Sequence, residues 1–301
     1  MRSLGRIWQT AIVEWGGAIR SRRALVLLVL YIASAVLCMN GTISVLGKME
    51  KELATVLQLP SDGETGVVSA SLWKSKPFNR IVRSVVGDSP VLDDISGRHP
   101  VELIYAWFVF LCAPLLTVLV SGTRISEDIR SGAVRYMLVR ETRLEWSVGK
   151  YIGQAIMIAL ALAASAIGAE VVALCRLPYG MATSLFAPLV GWGVRAWVYS
   201  LAWLGLALGI SHLTRSSGRA TAFGMLAACL FGALPPLMDF LHSVNGWPAM
   251  FTHVRMLVPA GAEMSLWRSS AVPLVSGSFH LVTLGLVYLM AGAAVFGRRD
   301  V

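Results

Sequence analysis

Charge is what this chain has least of. Only 14% of its 301 residues are Asp, Glu, Lys or Arg, against 56% hydrophobic, and the mean hydropathy is +0.67. A soluble globular domain carries nearer a quarter charged residues, so that class is excluded first. Cysteine is scarce as well: Cys38, Cys112, Cys175 and Cys229 fall in or at the edge of apolar runs. Their spacing fits neither a disulfide framework nor a metal site, and they read as small buried residues. No cluster of His, Asp and Glu marks a catalytic centre. No ladder of alternating ten-residue strands is present, which excludes a closed barrel. The nearest approach to a phosphate loop, "VGKY" at 148–151, lacks both the upstream glycine and the Ser/Thr.

What is there is a set of six uncharged windows, 24–47, 103–123, 151–169, 196–214, 220–238 and 269–297. A helix needs about 20 apolar residues to cross a bilayer. The fold class expected is therefore an all-α polytopic membrane protein with six transmembrane helices and an N-terminal interfacial helix. Leu177–Val194 is also uncharged but holds Pro178, Gly180, Pro188, Gly191 and Gly193; it reads as a short outer loop leading into an early-starting fourth helix. A seventh span there would invert everything after it. "ASA" at 33–35 is a weak cleavage-like site, but the apolar run continues through "VLCMNGTISVLG", which favours an uncleaved first span.

Lys and Arg set the orientation. With both termini cytoplasmic, the inner pieces 1–23, 124–150, 213–219 and 298–301 hold fifteen of the 26 basic residues and six acidic ones. The formal charge of +9 thus lies on the cytoplasmic face of a cell inner membrane, with nothing left over to suggest nucleic acid. Residues 1–23 read as a cytoplasmic interfacial helix: Leu4, Ile7, Trp8, Ala11, Ile12, Trp15 and Ile19 share one face, and Arg20, Arg22 and Arg23 close it. Trp8 and Trp15 are its interface anchors. Residues 24–301 form the six-helix domain, with an outer segment 48–102 and an outer re-entrant or surface segment 240–275 broken by Pro248, Pro259 and Pro273.

The exception to the scarcity of charge is Thr123–Lys150, where six basic and four acidic side chains fall in 28 residues. A turn between two helices needs about two to eight residues. Glu127 and Asp128 suit the start of a helix over roughly 126–137, Gly132 interrupts it, and positive charge gathers from Arg135 to Arg143. So dense a mixture of both signs fits a docking surface better than a bare topology signal.

The stretch "ISEDIRSGAVRYMLVRETRLEWSVGKYIGQ" resembles the segment between spans two and three of ABC-2 type transporter permeases. The matching positions are Glu127, Gly132, Met137–Leu138, Thr142–Arg143 and Gly149–Lys150; the family's proline before the Ser/Thr-Arg pair is missing, with Glu141 nearby. The resemblance implies the membrane subunit of an ABC exporter. This chain would bind no cofactor; ATP and Mg would sit on separate ATPase subunits, and a second permease copy or paralogue would complete the path. The implied ATPase-coupling residues are Glu127, Asp128, Arg130, Gly132, Arg135, Arg140, Arg143 and Lys150. Membrane lipid is a further partner, as are outer accessory proteins on segment 48–102, which keeps open a mechanotransmitter within the same family. An ion-coupled secondary carrier is the reading from another class. Its only material is Glu170 and Arg195, which fall toward the outer half of adjacent antiparallel spans and are expected to form an intramembrane ion pair.

Overall fold

The computed structural model describes residues 2–56, 90–245 and 252–298, and every regular element among them is helical. In chain order these are α1 (Arg2–Arg20), α2 (Arg22–Val56), α3 (Pro90–Ile95), α4 (Pro100–Ser121), α5 (Arg124–Ser131), α6 (Ala133–Met137), α7 (Arg143–Arg176), α8 (Tyr179–His212), α9 (Ser217–Asn245), α10 (Thr252–Arg255), α11 (Glu263–Leu266) and α12 (Ala271–Gly297). A 3₁₀ turn, Pro259–Ala262, precedes α11. Six stretches are long and apolar enough to cross a membrane, built on α2, α4, α7, α8, α9 and α12. Most of the outer segment, residues 57–89, lies outside the described residues, as do Trp247 and Pro248. The bundle has a loop end, which carries α1 and residues 123–142, and an opposite, far end.

Local chemistry starts and stops the helices. At α4, Pro100 occupies the first turn, where its missing N–H costs nothing, and the His99 side chain accepts from Val101 N. At α7, Thr142 and Glu145 form a reciprocal capping box. Packing then overrides propensity in α8. Pro178 and Gly180 do not open a loop, because a two-residue turn, Leu177–Pro178, joins α7 directly to α8. Pro188 is carried inside the helix while Leu185, Leu189 and Trp192 on either side of it are buried. Of the window 177–194, expected as a short outer loop leading into an early-starting fourth helix, the loop is Leu177–Pro178 and the helix starts at Tyr179.

The centre of the bundle is the contact of α8 with α12, which run in the same direction. Cβ atoms on Gly285 and Gly292 would lie 2.5 Å from the carbonyls of Leu201 and Gly209 respectively, and one on Gly205 would collide with the Gly285 carbonyl. Backbone lies on backbone, so the pair is a rigid unit. Trp192 Nε1 donates to Glu102 near the start of α4 at 2.8 Å. The 21 residues from Trp192 to His212 therefore run beside α4 and α12 for about 30 Å, the thickness of a hydrocarbon core. The α7–α8 hairpin continues past that level at the far end. The second half of α2 accompanies it: Arg176 donates to Ser44 Oγ at 2.7 Å, and a Cβ on Gly168 would be 3.0 Å from Val36.

This geometry corrects the ion pair expected between Glu170 and Arg195. The two flank a turn at 177–178, where residues equidistant from the turn face each other, as Leu162 faces Gly193. Glu170 is about ten residues nearer the turn than Arg195, or about 15 Å along the axis. Arg195 instead donates to the Leu266 carbonyl at 3.1 Å and stacks over Trp192 at 4.7 Å. Glu170 lies in the far-end projection, 8% exposed, with Oε2 unpartnered among the described residues.

Candidate functional site: the charged loop and its root

Gly132 divides the loop. It holds φ 75°, in the left-handed region that a side chain makes costly, so the helix expected over 126–137 is two helices, α5 and α6, at an angle set by one residue. A turn over 138–141 then leads into the Thr142 cap.

The outward side of this structure is basic and apolar together. Tyr136 and Val139 are 82% and 84% exposed. Arg130, Arg135 and Arg140 around them are exposed too, and their guanidinium groups make no ion pair among the described residues. Two large apolar side chains presented this fully on a charged loop have no folding role that the described chain supplies. Glu127 is half-buried with no side-chain partner among the described residues.

The inward side is bolted down. Lys150, 4% exposed, bridges Glu14 Oε2 at 2.6 Å and Asp128 Oδ2 at 2.7 Å. Gln154 donates to the other oxygen of Glu14 at 2.7 Å and also receives Ser121 Oγ at 3.0 Å. Arg124 Nε approaches Glu14 at 3.8 Å. One buried lysine therefore ties three elements, α1, α5 and α7, to a single point. Isolated charges this deep are costly, and pairing with two carboxylates satisfies them.

A second tie lies one turn away. Thr10 Oγ1 reaches both oxygens of Glu141 at 2.7 and 2.8 Å, and Arg6 donates to the Arg140 carbonyl at 3.0 Å. The backbones can come this close because the facing residues of α7 are glycines. A Cβ on Gly149 would be 2.6 Å from Thr10 Cβ, and one on Gly153 would be 2.8 Å from the Ala11 carbonyl. The opposite face of α1 leaves Leu4, Trp8, Ile12 and Trp15 exposed, an apolar stripe with both tryptophans. Arg20 and Arg22 are exposed at its end, and Arg23 lies against the Leu119 carbonyl at 3.5 Å.

The eight residues named from the loop therefore separate by position. Arg130, Arg135 and Arg140 point outward, Glu127 is half-buried in the first turn of α5 and Gly132 is the joint. Asp128 and Lys150 are turned into the root, and Arg143 is taken by the end of α12, donating to Phe296 O at 2.7 Å with its guanidinium 5.1 Å from the Phe296 ring. Sequence reasoning missed Glu14, Thr10 and Glu141, which complete the root, and Tyr136 and Val139, which dominate the outward patch. An acid in the middle of a membrane-lying helix was the available signal for Glu14.

Six apolar spans, a two-tryptophan helix along the loop end and a charged, externally presented loop define a multi-pass membrane protein of the transporter class. Residues 8–301 match the family described as ABC-2 family transporter protein, and the chain belongs to it: it is a permease component of an ABC transporter, from a family that works with ABC ATPase subunits. No curated protein matches the chain.

Proposed function

We propose that this permease is the non-catalytic membrane subunit of an exporter in the cell inner membrane, with both termini and the loop end cytoplasmic. Two copies, or one copy and a paralogue, enclose the path. Two ATPase subunits carrying ATP and Mg seat against the loops. The observation that carries this reading is the two-sided loop, with Tyr136 and Val139 exposed among Arg130, Arg135 and Arg140, and Lys150 locking the same loop to α1 and α7. Force applied to such a patch is delivered to the first two turns of α7 and, through α7, to its hairpin partner α8. The sparsely buried α2, α9 and α12 leave apolar faces for the second copy and for lipid.

The test is a photo-crosslinking amino acid in place of Val139, with one in place of Phe186, exposed at the far end, as control. Illumination in cells should join position 139, and not 186, to an ATP-binding subunit. Adducts at 186 alone, or at neither position, would contradict the proposal.

A further inference from the structure

Between α8 and α9 at the loop end is an open basin of about 880 Å³ lined by Leu213, Thr214, Arg215, Ser216, Arg219 and Phe223. Both arginines are exposed, and neither has a carboxylate or any other side-chain partner among the described residues. At the root the cations are used, Lys150 by two carboxylates, Arg124 by Glu14, and Arg6 by Glu145 at 3.5 Å, whereas this pair, like Arg130, Arg135 and Arg140 on the loop's outward side, makes no ion pair among the described residues. Arg215, in the connection between α8 and α9, and Arg219, in the first turn of α9, are four positions apart with hydroxyl groups between them, from Ser216 and the neighbouring Ser217. That set is suited to a phosphate, which guanidinium groups bind in bidentate fashion.

Apolar surface follows directly. Phe223, half exposed, is one turn deeper on α9, below Arg219, and Leu226 and Leu230 continue the exposed face inward. Cations at the membrane surface above an apolar ridge within its depth match a molecule with a phosphate head and a hydrocarbon tail. A soluble protein would meet the arginines but could not follow the ridge into the bilayer, so charge complementarity and depth together favour a lipid. We propose that this basin is a binding site for an anionic phospholipid, its phosphate between Arg215 and Arg219 and its acyl chain against Phe223. The basin lies beside the loop, α9 touching α5, but the inference needs only the chain's place in a membrane and not an ATPase docked on the loop.

The test uses the full-length protein in nanodiscs of phosphatidylcholine, titrated with phosphatidylglycerol and read by native mass spectrometry of retained lipid. The double variant Arg215→Gln/Arg219→Gln should bind phosphatidylglycerol about 30-fold more weakly, near the sum of two surface arginines' attraction to anionic lipid. Arg176→Gln, a far-end control, should match the wild type. Both altered arginines are exposed, and an unchanged elution volume checks folding. Inorganic phosphate at millimolar concentration should not displace the lipid. Equal retention by wild type and double variant would overturn the proposal, as would displacement by free phosphate, which would make the site one for the ion alone. A double variant that loses its ATPase or its second copy while keeping its lipid would overturn it too, assigning the arginines to a protein contact.

Discussion

Single side chains carry the link between the loop and the spans, and Lys150 is the most exposed to test. Replacing it with Met leaves Glu14 and Asp128 facing each other across a dry contact, and losing one partner of a buried ion pair costs about 3–5 kcal/mol. Lys150→Met should therefore lower the thermal unfolding midpoint in detergent steeply, and adding Glu14→Gln and Asp128→Asn should restore most of it. A single variant as stable as the wild type would remove Lys150 from the root. His99 makes a second prediction. Its imidazole caps α4 by accepting from Val101 N, and burial pushes its pKa down, with the Glu102 charge opposing. The folded state thus favours the neutral ring. Its contribution is complete above the ordinary histidine value of about 6.5 and is lost as pH falls through that value and below. Loss of a cap is worth on the order of 1 kcal/mol. His99→Asn, which caps without titrating in this range, should flatten that part of the stability-pH profile; an unchanged profile would assign the acid sensitivity elsewhere.

At the scale of elements, the seam between α8 and α12 and the seating of α1 on α7 rest on glycine for the same reason, that backbone meets backbone. Gly205→Ala places a methyl group against the Gly285 carbonyl, and neither helix can yield without moving its neighbours. A cost of about 1–3 kcal/mol or more is expected from overpacking, seen as reduced folded yield and a lower unfolding midpoint. Gly41→Ala in α2, where nothing lies within 4 Å, should instead be neutral or mildly stabilising through helix propensity. Equal behaviour of the two variants would contradict the packing described. The elements also show where the amino-acid order was readable. Span number follows from uncharged length alone, and the charged loop announces itself by contrast with its surroundings. That the fourth helix starts early was legible, but not that it starts as early as Tyr179, because Pro178, Gly180 and Pro188 signal a loop locally while the burial that overrides them comes from distant residues. The root was hidden for a related reason. Glu14 finds Lys150 and Gln154 from 136 and 140 positions away, and no local pattern connects them. Glu170 and Arg195 misled because their separation depends on the position of the turn, which a two-residue connection moved toward Glu170.

Across the whole molecule, the two ends do different work. The far end is a projecting hairpin with the short helices α10 and α11 packed beside it, held by Arg195 on Leu266 and by Arg268 on Asp94 at 2.5 Å. The loop end is where charge, exposed apolar side chains and the lysine-centred root converge, and there the account of an ATP-driven permease stands or fails. The direct measurement is the amount of ATPase subunit that co-purifies with the tagged permease from mild detergent, for the wild type and for Tyr136→Ala/Val139→Ala. Both side chains are more than four-fifths exposed, so the variant should fold normally. The wild type should retain ATPase in a one-to-one ratio, and the double variant should lose at least about tenfold in retention, as expected for two central apolar anchors of an interface. Equal retention by both would show that the ATPase is held elsewhere and would contradict the role assigned to this loop.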